Sequence, residues 1–571
     1  MQTQSIHTTG SQRRENAAEA FVDTLAANGI DTFFGLPGST EAALLEALRA
    51  NGEVNYVLSL QESITVAMAD GYARASGAVG VVGLHTSVGT MNGMSQLYNA
   101  YRDGSPIVVT AGHKDVGVLS EDGFCALPDL GSISQSFTKW SRQSLSARGV
   151  AADLRRAIQI ATAPPPGPTY LAIPEDFMGD PAPPVDRSGA SAYAAGIVGR
   201  TRLGRRPERE AVAAAVRVMM TARRPVLVIG SAATEAATEA RALAAALEIP
   251  VFVADRTQLT TLPYPVLDER YVGMYGEDPS MLEGCDCVIA IGTRVFYPFT
   301  SDSRPKLPPG AHLIHAHSDP EQVGWTVSPE VGLSGDPLQV FEDLRAAVEQ
   351  RGGIVRDLRE ERVARLAELR ARHAARLATE RSQHGTGGNP VPLTRLAAEL
   401  GARLPADALV FDESISSSRA LLRHATFADE TRLFRTSGGS LGWGLPAAIG
   451  AKIAHPKRPV LAVIGDGSFH FTVQAIWTAV QQQAPVTVVV VDNTGYLAVK
   501  RAVERFLNVP EDPMEHPGTA LPAIDHVTVA KGYGAIGTVV RDAEEVGPAI
   551  DAALASGKTN VIVVPVPEAR S

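Results

Sequence analysis

Short apolar runs alternate with amphipathic stretches along most of the chain. Runs such as "PVLAVI" and "PVTVVVV", in residues 459–464 and 485–491, are almost entirely apolar and are bounded by turn-forming residues. This pattern is typical of parallel strands that are buried on both faces, with helices between them. The sequence therefore predicts an α/β protein built from doubly wound parallel sheets.

Two segments interrupt this alternation and indicate domain boundaries. Residues 179–208 are rich in Pro, Gly, Ser and Arg, and a charged stretch near 355–382 runs into "SQHGTGGNPVP". Such compositions are typical of inter-domain connections. We expect an N-terminal domain in residues 1–180, a middle domain in 205–350 and a C-terminal domain in 390–571.

Composition and charge exclude several classes of partner. The chain of 571 residues has a formal net charge of -10, which disfavours nucleic acid because phosphate backbones are bound by clustered Lys and Arg. The one charge-rich run, "RDLREERVARLAELRARHAARLATER", alternates signs and predicts a solvent-exposed helix. No apolar run reaches the roughly 18 residues of a membrane span, and the polar start lacks the apolar segment of a secretory signal. Cys125, Cys285 and Cys287 form no disulfide framework, so we expect a cytoplasmic protein without a membrane partner.

The N-terminal and C-terminal domains resemble each other, which bears on where a ligand binds. "VGVVGLHTSVGTMNGMSQLYNAYRDGSPIVVTAG" and "VIGDGSFHFTVQAIWTAVQQQAPVTVVVVDN" share the order strand, Gly-rich turn, helix and a final apolar strand that Pro introduces. We interpret this as an ancient duplication and expect a shared ligand at the carboxyl ends of the strands. In the middle domain the glycines do not form a G-x-G-x-x-G turn, so a dinucleotide there is only weakly indicated.

Two polar residues stand at the ends of the last two strands quoted above. Asp466 lies in "GDG" directly after one apolar run, and Asn493 closes the next. A carboxylate and an amide oxygen are hard ligands for a small dication such as Mg²⁺ or Ca²⁺, and the glycines, among them Gly467, let the main chain approach closely. Helix N-terminal amides beside such a cation suit a diphosphate. The alternative is a simple strand-to-helix turn, in which Asp466 caps the helix and Asn493 is a turn residue.

Further motifs decide between these alternatives. "LSLQESITVAMADGYAR", "GLHTSVGTMN", "GPTYLAIPEDF", "SGGSLGWGLPAAIGAKIA" and "GDGS" occur in this order. With them the chain resembles the thiamine diphosphate (ThDP)-dependent enzymes of the pyruvate decarboxylase and acetolactate synthase group over nearly its whole length. "FGLPGSTE", "LHTSVGT" and "FDESISSS" look most like the benzoylformate decarboxylase family.

The resemblance implies a cofactor site that is divided between the two outer domains. Asp466, Asn493 and the carbonyl of Gly495 would hold Mg²⁺ against the diphosphate of ThDP. The other cofactor contacts that the resemblance implies are Ser414, Gly439, Leu441, Gly467 and Ser468, with Glu62 at the pyrimidine ring.

Three of these residues have specific roles in the family. Glu62 would protonate a nitrogen of the aminopyrimidine ring, the carbonyl of Gly439 would bind its exocyclic amine, and Leu441 would push between the two rings of the cofactor. Without the other motifs, Glu62 could equally be a structural acid and Leu441 a core residue.

The resemblance also implies residues on the substrate side. Ser39 would contact the substrate carboxylate and His85 would handle protons, although a lone histidine after a strand is often only a structural hydrogen-bonding group. Phe299 stands where the family carries a second active-site histidine, and Ile415 and Ala502 also alter the expected pocket. The histidines of "HLIHAH", which alternate as a strand requires, are expected to be structural: His312, His315 and His317.

These expectations lead to one leading function and two alternatives. The leading function is non-oxidative decarboxylation of an aromatic or branched 2-oxo acid, with carboligation to an aldehyde or ketone acceptor. The alternatives are an acetolactate synthase-like or 2-hydroxyacyl lyase-like carboligase with FAD or a nucleotide in the middle domain, although FAD is not expected, and a ThDP-binding protein without turnover. The resemblance further implies a homodimer or a dimer of dimers, with the N-terminal domain of one subunit facing the C-terminal domain of its partner.

Overall fold

Three parallel sheets form the architecture, as the sequence predicts. The computed structural model describes residues 15–185, 204–297, 307–383, 388–428, 431–509, 514 and 516–567. Each sheet has six strands, and every pair of neighbouring strands is parallel. In the described part of the chain, no helix combines the length and the apolar character needed to cross a membrane.

The first sheet has the strand order β2-β1-β3-β4-β6-β5. Its strands are β1 Thr32–Gly35, β2 Asn55–Leu58, β3 Gly80–His85, β4 Ile107–His113, β5 Trp140–Gln143 and β6 Thr169–Pro174. The helices around it are α1 Ala17–Ala27, α2 Ala42–Asn51, α3 Glu62–Ser76, α4 Thr86–Asp103, α5 Val116–Leu119, α6 Val150–Thr162 and α7 Glu175–Gly179.

The middle sheet has the order β12-β11-β10-β7-β8-β9. Its strands are β7 Pro225–Ile229, β8 Val251–Val253, β9 Tyr271–Met274, β10 Cys287–Ile291, β11 His312–His317 and β12 Val331–Ser334. Its helices are α8 Arg209–Thr221, α9 Ala237–Leu247 and α10 Pro337–Gln350, and the long α11 Arg356–Gln383 follows them.

The third sheet has the order β14-β13-β15-β16-β18-β17, the same relative order as the first. Its strands are β13 Leu409–Glu413, β14 Arg432–Phe434, β15 Val460–Gly465, β16 Thr487–Asp492, β17 Ile536–Val539 and β18 Asn560–Pro565. Its helices are α12 Leu393–Arg403, α13 Ser418–His424, α14 Gly444–Ala454, α15 Asp466–Phe469, α16 Ala475–Gln481, α17 Leu497–Leu507, α18 His526–Gly532 and α19 Ala543–Ala555. The shared topology of the two outer sheets supports the duplication inferred from the sequence.

Helices α3 and α14 join the outer domains by close main-chain contact. A Cβ added to Gly71 would lie 2.0 Å from the carbonyl oxygen of Ala447, and one added to Gly450 would lie 1.9 Å from that of Met68. Only glycine permits this approach. Because residue 68 meets 450 and residue 71 meets 447, the two helices run antiparallel.

Helix α11 corresponds to the charged run, but its predicted exposure is wrong for one face. Arg362 is 1% exposed and donates to three main-chain carbonyls at the ends of α8 and α9, those of Leu247, Met219 and Ala222. A guanidinium has five donors in a planar fork, which allows it to satisfy several carbonyls at once. The alternating charges concealed this role.

The histidines of β11 have partners within the middle domain. His315 accepts a hydrogen bond at Nδ1 from the N–H of Gly324 at 3.1 Å and contacts the carbonyl of Thr293 through Nε2 at 2.9 Å. Burial lowers the pKa of His317 to about 4. Phe299, the residue at the expected second histidine position, lies outside the described residues.

Candidate functional site

Three neighbouring strands of the third sheet end in acidic or amide side chains, and two of these are the candidate metal ligands. β13, β15 and β16 lie side by side, with Glu413 at the end of the first, Asp466 directly after the second and Asn493 directly after the third. Asp466 is 2% exposed, and its Oδ2 accepts a hydrogen bond from the N–H of Gly495 at 2.9 Å. Burial raises the pKa of Asp466 to about 6, and the charge of Asp492 adds to the rise. A divalent cation beside Asp466 would offset this cost, because it favours the charged carboxylate.

Asn493 carries a buried amide oxygen, Oδ1, that accepts no hydrogen bond from the described residues. A buried acceptor without a donor is costly, and native structures normally satisfy it with protein, water or an ion. An amide oxygen and a carboxylate at adjacent strand ends are the hard donors that Mg²⁺ or Ca²⁺ takes. The donor set therefore fits a divalent cation, whereas the alternative of a helix cap and a turn leaves this oxygen unexplained.

The remaining predicted diphosphate contacts lie at the same edge of the sheet. Gly467 faces the ring of Tyr496, which a Cβ would approach to 2.5 Å, and Ser468 is 4% exposed in the same turn. Ser414 follows β13, and its hydroxyl donates to Oδ1 of Asp412 at 2.6 Å. The carboxyl ends of parallel strands are where α/β sheets bind ligands.

A loop of residues 438–442, which we call the glycine loop, leads into α14. Gly439 and Gly442 have φ values of +83° and +85°, a backbone conformation that side chains rarely adopt. No atom lies within 4 Å of a Cβ added to Gly439, so this part of the loop faces open space. Leu441 is half-buried. The loop thus presents main-chain and apolar atoms on an open side, as the predicted roles of Gly439 and Leu441 require.

Glu413 holds the end of the glycine loop, a role that sequence reasoning missed. Its carboxylate is 2% exposed, and burial raises its pKa to about 7. It accepts hydrogen bonds at 2.7, 3.1 and 2.8 Å from the N–H groups of Gly442, Trp443 and Gly444. The sequence did hold one indication of this role: Glu413 stands at the end of an apolar run, as Asp466 does.

The turn of residues 38–41, which contains Ser39, lies against His85 at the carboxyl ends of β1 and β3 in the first sheet. Nδ1 of His85 lies 3.0 Å from Oγ1 of Thr40 and 3.1 Å from Oε2 of Glu41. Glu41 is 6% exposed and also accepts hydrogen bonds from two main-chain N–H groups. A Cβ on Gly38 would lie 2.2 Å from the imidazole, so glycine allows the ring to lie against the turn. Glu41, which sequence reasoning also missed, orients the ring through Nδ1.

Glu62 lies apart from the metal-ligand cluster within one chain. It is the first residue of α3, and its Oε2 accepts a hydrogen bond from Asn92 at 3.1 Å. Arg74, whose guanidinium lies 5.0 Å from the Trp443 ring, is twelve residues further along α3, or about 18 Å at about 1.5 Å per residue. Trp443, which directly follows the glycine loop, thus packs beside the last turns of α3, whereas Glu62 begins this helix. Among the described residues, no hydrogen bond or ion pair joins Glu62, Ser39 or His85 to Asp466 or Asn493.

Comparison with known proteins identifies the family. The models of the thiamine pyrophosphate enzyme N-terminal TPP-binding, central and C-terminal TPP-binding domains match residues 15–133, 212–344 and 415–564. The chain is 32% identical to benzoylformate decarboxylase of Pseudomonas aeruginosa, with 96% of this chain and 98% of that protein covered. The chain belongs to the thiamine pyrophosphate enzyme family.

Other members of the thiamine pyrophosphate enzyme family are similar to a lesser degree. The large subunit of Escherichia coli acetolactate synthase isozyme 3 is 26% identical, with 96% of this chain and 94% of that protein covered. A solved ThDP-dependent 4-hydroxybenzoylformate decarboxylase from Rhodococcus jostii RHA1 has a TM-score of 0.83 and 28% identity, with 98% of this chain and 100% of that chain covered. This protein is therefore an enzyme of the ThDP-dependent decarboxylase and carboligase type.

Proposed function

We propose that the enzyme catalyses the ThDP- and Mg²⁺-dependent, non-oxidative decarboxylation of an aromatic or branched 2-oxo acid, with carboligation to an aldehyde or ketone as a second outcome. The observation that carries the proposal is the buried, unpartnered Oδ1 of Asn493 beside Asp466, since it fits the cation that binds a diphosphate. Gly495 would complete the ligand set with its carbonyl. ThDP would supply the carbon nucleophile and the electron sink.

The chain's own residues bind the substrate and move protons. Ser39 would bind the substrate carboxylate beside His85, whose Nδ1 contact with Glu41 leaves Nε2 to hold a proton at the reacting atoms. Glu62 would act on the pyrimidine ring, the carbonyl of Gly439 would bind its amine, and Leu441 would support the bent cofactor.

The substrate class rests on relatives and on the altered pocket positions. The two decarboxylases described above act, by name, on benzoylformate and 4-hydroxybenzoylformate. Ile415 has φ +46° directly after Ser414 and is 38% exposed, while Ala502 is small where an aromatic residue is expected. Phe299 cannot transfer a proton, so in our proposal carboligation to a carbonyl acceptor gains relative to release of the protonated product.

A substrate panel tests this proposal. Aromatic and aliphatic 2-oxo acids are incubated with enzyme, ThDP and Mg²⁺, each with and without an aldehyde, and the products are identified. We expect turnover of an aromatic or branched acid, its loss after chelation and its recovery when ThDP and Mg²⁺ are returned. Asp466→Ala is the control that cannot be rescued at the same cofactor concentration. Turnover that survives complete removal of ThDP contradicts the proposal, and turnover of pyruvate alone contradicts the substrate class.

The structure of the middle domain supports the proposal that the enzyme binds no FAD. Its strand order places the crevice that commonly binds a nucleotide between β7 and β10. A Cβ on Gly230 would lie 2.2 Å from the carbonyl oxygen of Gly292, and Oε1 of Gln258 accepts a hydrogen bond from the N–H of Arg294 at 3.1 Å. These contacts bring the segments that follow β7 and β10 close together at this point. We expect the purified enzyme to lack flavin absorbance, and a stoichiometric yellow cofactor would contradict this expectation.

We further propose that two subunits share each site. Among the described residues, no hydrogen bond or ion pair joins Glu62 to Asp466 or Asn493, as described above. Beside Glu62, α4 exposes Val88 and Met91 at 47% and 55%, and Phe471, which follows α15, is 52% exposed. Exposed apolar side chains next to incomplete half-sites support coverage by a second copy of this chain. A dimer of dimers is the larger assembly that the family resemblance implies, and the free cysteines support a cytoplasmic location.

A further inference from the structure

Two buried amide side chains of α4 contact the glycine loop from the N-terminal domain of the same chain. Asn99 is fully buried and Gln96 is 1% exposed. Asn99 pairs with the main chain of Ser440 in both directions, since its Oδ1 accepts from the N–H at 3.1 Å and its Nδ2 donates to the carbonyl at 2.9 Å. Gln96 donates from Nε2 to the carbonyl of Leu441 at 2.9 Å. Burying an amide side chain costs free energy unless it is hydrogen-bonded, and these two side chains form their hydrogen bonds with a loop of another domain.

The pairing with Asn99 fixes the direction of one carbonyl group. The N–H of Ser440 and the carbonyl of Gly439 belong to the same planar trans peptide, so they point in opposite directions. Because Asn99 holds the N–H toward α4, the Gly439 oxygen points away from α4. A Cβ on Gly439 has no atom within 4 Å, so the residue itself borders open space.

The next peptide is held from both sides. The carbonyl of Leu441 accepts from Gln96, while the N–H of Gly442 in the same peptide donates to Oε1 of Glu413 at 2.7 Å. Nδ2 of Asn99 also donates to Oε1 of Gln96 at 2.7 Å, so the two amides form one unit. The backbone on which Leu441 stands is thus set jointly by the N-terminal and C-terminal domains.

We propose that Asn99, supported by Gln96, is a positioning residue that directs the Gly439 carbonyl toward the exocyclic amine of the cofactor's pyrimidine ring. The inference rests on the proposed function, which places ThDP at this loop. Gly438 fits the same arrangement, because a Cβ there would lie 2.2 Å from Oδ1 of Asn99. The α4 helix of one subunit thus prepares the pyrimidine site that the partner's N-terminal domain completes.

A comparison of two cofactors tests the inference without turnover. ThDP carries the amine donor, whereas oxythiamine diphosphate carries a 4′-oxo group in its place, which accepts a hydrogen bond but cannot donate one. The dissociation constants of both are measured with Mg²⁺ by calorimetry for wild type and Asn99→Ser. We expect wild type to prefer ThDP and the preference to fall about tenfold in Asn99→Ser, the value of one neutral hydrogen bond. The near-ultraviolet circular dichroism of bound ThDP should change in parallel.

Two further variants separate positioning from stability. Leu97→Ala removes a fully buried side chain from the same helix; it should lower Tm and leave the ratio of the two dissociation constants unchanged. Gln96→Met keeps the packing volume and removes the hydrogen bond to the Leu441 carbonyl, so the ratio of the two dissociation constants should fall here too. If Asn99→Ser does not fold, this variant alone tests the inference. An unchanged ratio in a folded Asn99→Ser or Gln96→Met overturns the inference. Failure of wild type to bind ThDP overturns the proposed function instead.

Discussion

At the scale of single residues, Glu41 is the most informative addition to the site. It contacts Nδ1 of His85 at 3.1 Å and is held by the main chain on both sides, so it has little freedom to move. A histidine that handles protons needs its ring direction set by the bond that the other nitrogen makes. In the proposed function, Glu41 would therefore act through His85 and not on the substrate.

We predict that Glu41→Gln lowers kcat about 100-fold and leaves KM nearly unchanged, since a small displacement of a reacting group has an effect of this size. Steady-state kinetics on the best 2-oxo acid measure both values. Glu46→Gln is the matched control, because Glu46 lies on the surface and pairs with exposed Arg49, and exposed pairs of this kind contribute little. Equal effects of the two substitutions would exclude the orienting role.

The raised pKa of Glu413 predicts how the stability of the protein depends on pH. Its pKa rises from 4.5 to about 7, and at about 1.4 kcal/mol per unit its charged form costs the folded state about 3 kcal/mol. The folded protein binds this proton more tightly than the unfolded chain does. The contribution of Glu413 to the stability of the folded protein is therefore most favourable below pH 4.5 and is lost as the pH rises to about 7. We expect the cofactor-free Glu413→Gln protein to gain Tm relative to wild type between pH 5 and pH 8. A pH-independent difference between the two proteins would contradict this assignment.

The placement of the candidate metal ligands was predictable from sequence, because it depends on position along a strand. Asp466 and Asn493 follow consecutive apolar runs. These runs form neighbouring parallel strands, so both residues lie at the same edge of the sheet. The roles of Glu41, Glu413 and Asn99 were not predictable in this way. Each forms hydrogen bonds with a segment that is distant in sequence and that only the three-dimensional packing brings near. The local spacing of residues does not predict such contacts.

At the scale of elements, the antiparallel contact of α3 and α14 determines where the half-sites lie. The strands and their order follow from continuous apolar runs, which is why the fold class could be predicted. The contact between these two helices could not, because a glycine inside a helix pattern indicates only reduced propensity. The buried face of α11 escaped prediction for a similar reason, since Arg362 resembles its exposed neighbours in sequence.

The helix contact predicts the effect of one added methyl group. In Gly71→Ala the Cβ would lie 2.0 Å from the Ala447 carbonyl oxygen, so the helices must separate. We expect a loss of about 3 kcal/mol, seen as a clear decrease in Tm, together with weaker ThDP binding because the glycine loop leads into α14. Gly532→Ala, in a helix with no atom within 4 Å of the new Cβ, is the control and should be neutral. Equal Tm values for the two variants would exclude close packing at Gly71.

At the scale of the whole molecule, our proposal is that two chains share each site. About 18 Å of α3 separates Glu62 from Arg74, which contacts Trp443 beside the glycine loop. In the proposed arrangement, pairing two chains about a twofold axis would bring the N-terminal half-site of each against the C-terminal half-site of the other, and would cover the exposed apolar residues of α4.

Subunit complementation tests this arrangement. Glu62→Gln removes the acid from the N-terminal half-site, and Asp466→Ala removes the metal ligand from the C-terminal half-site, so each variant alone should be inactive. After mixing and exchange, a mixed dimer has one site with both lesions and one site with neither, and equal mixing should restore about a quarter of wild-type activity. A mixture of Glu62→Gln with a differently tagged Glu62→Gln is the control for exchange and must stay inactive. If isolated mixed dimers are as inactive as the parents, each chain builds its own site and the shared arrangement is wrong.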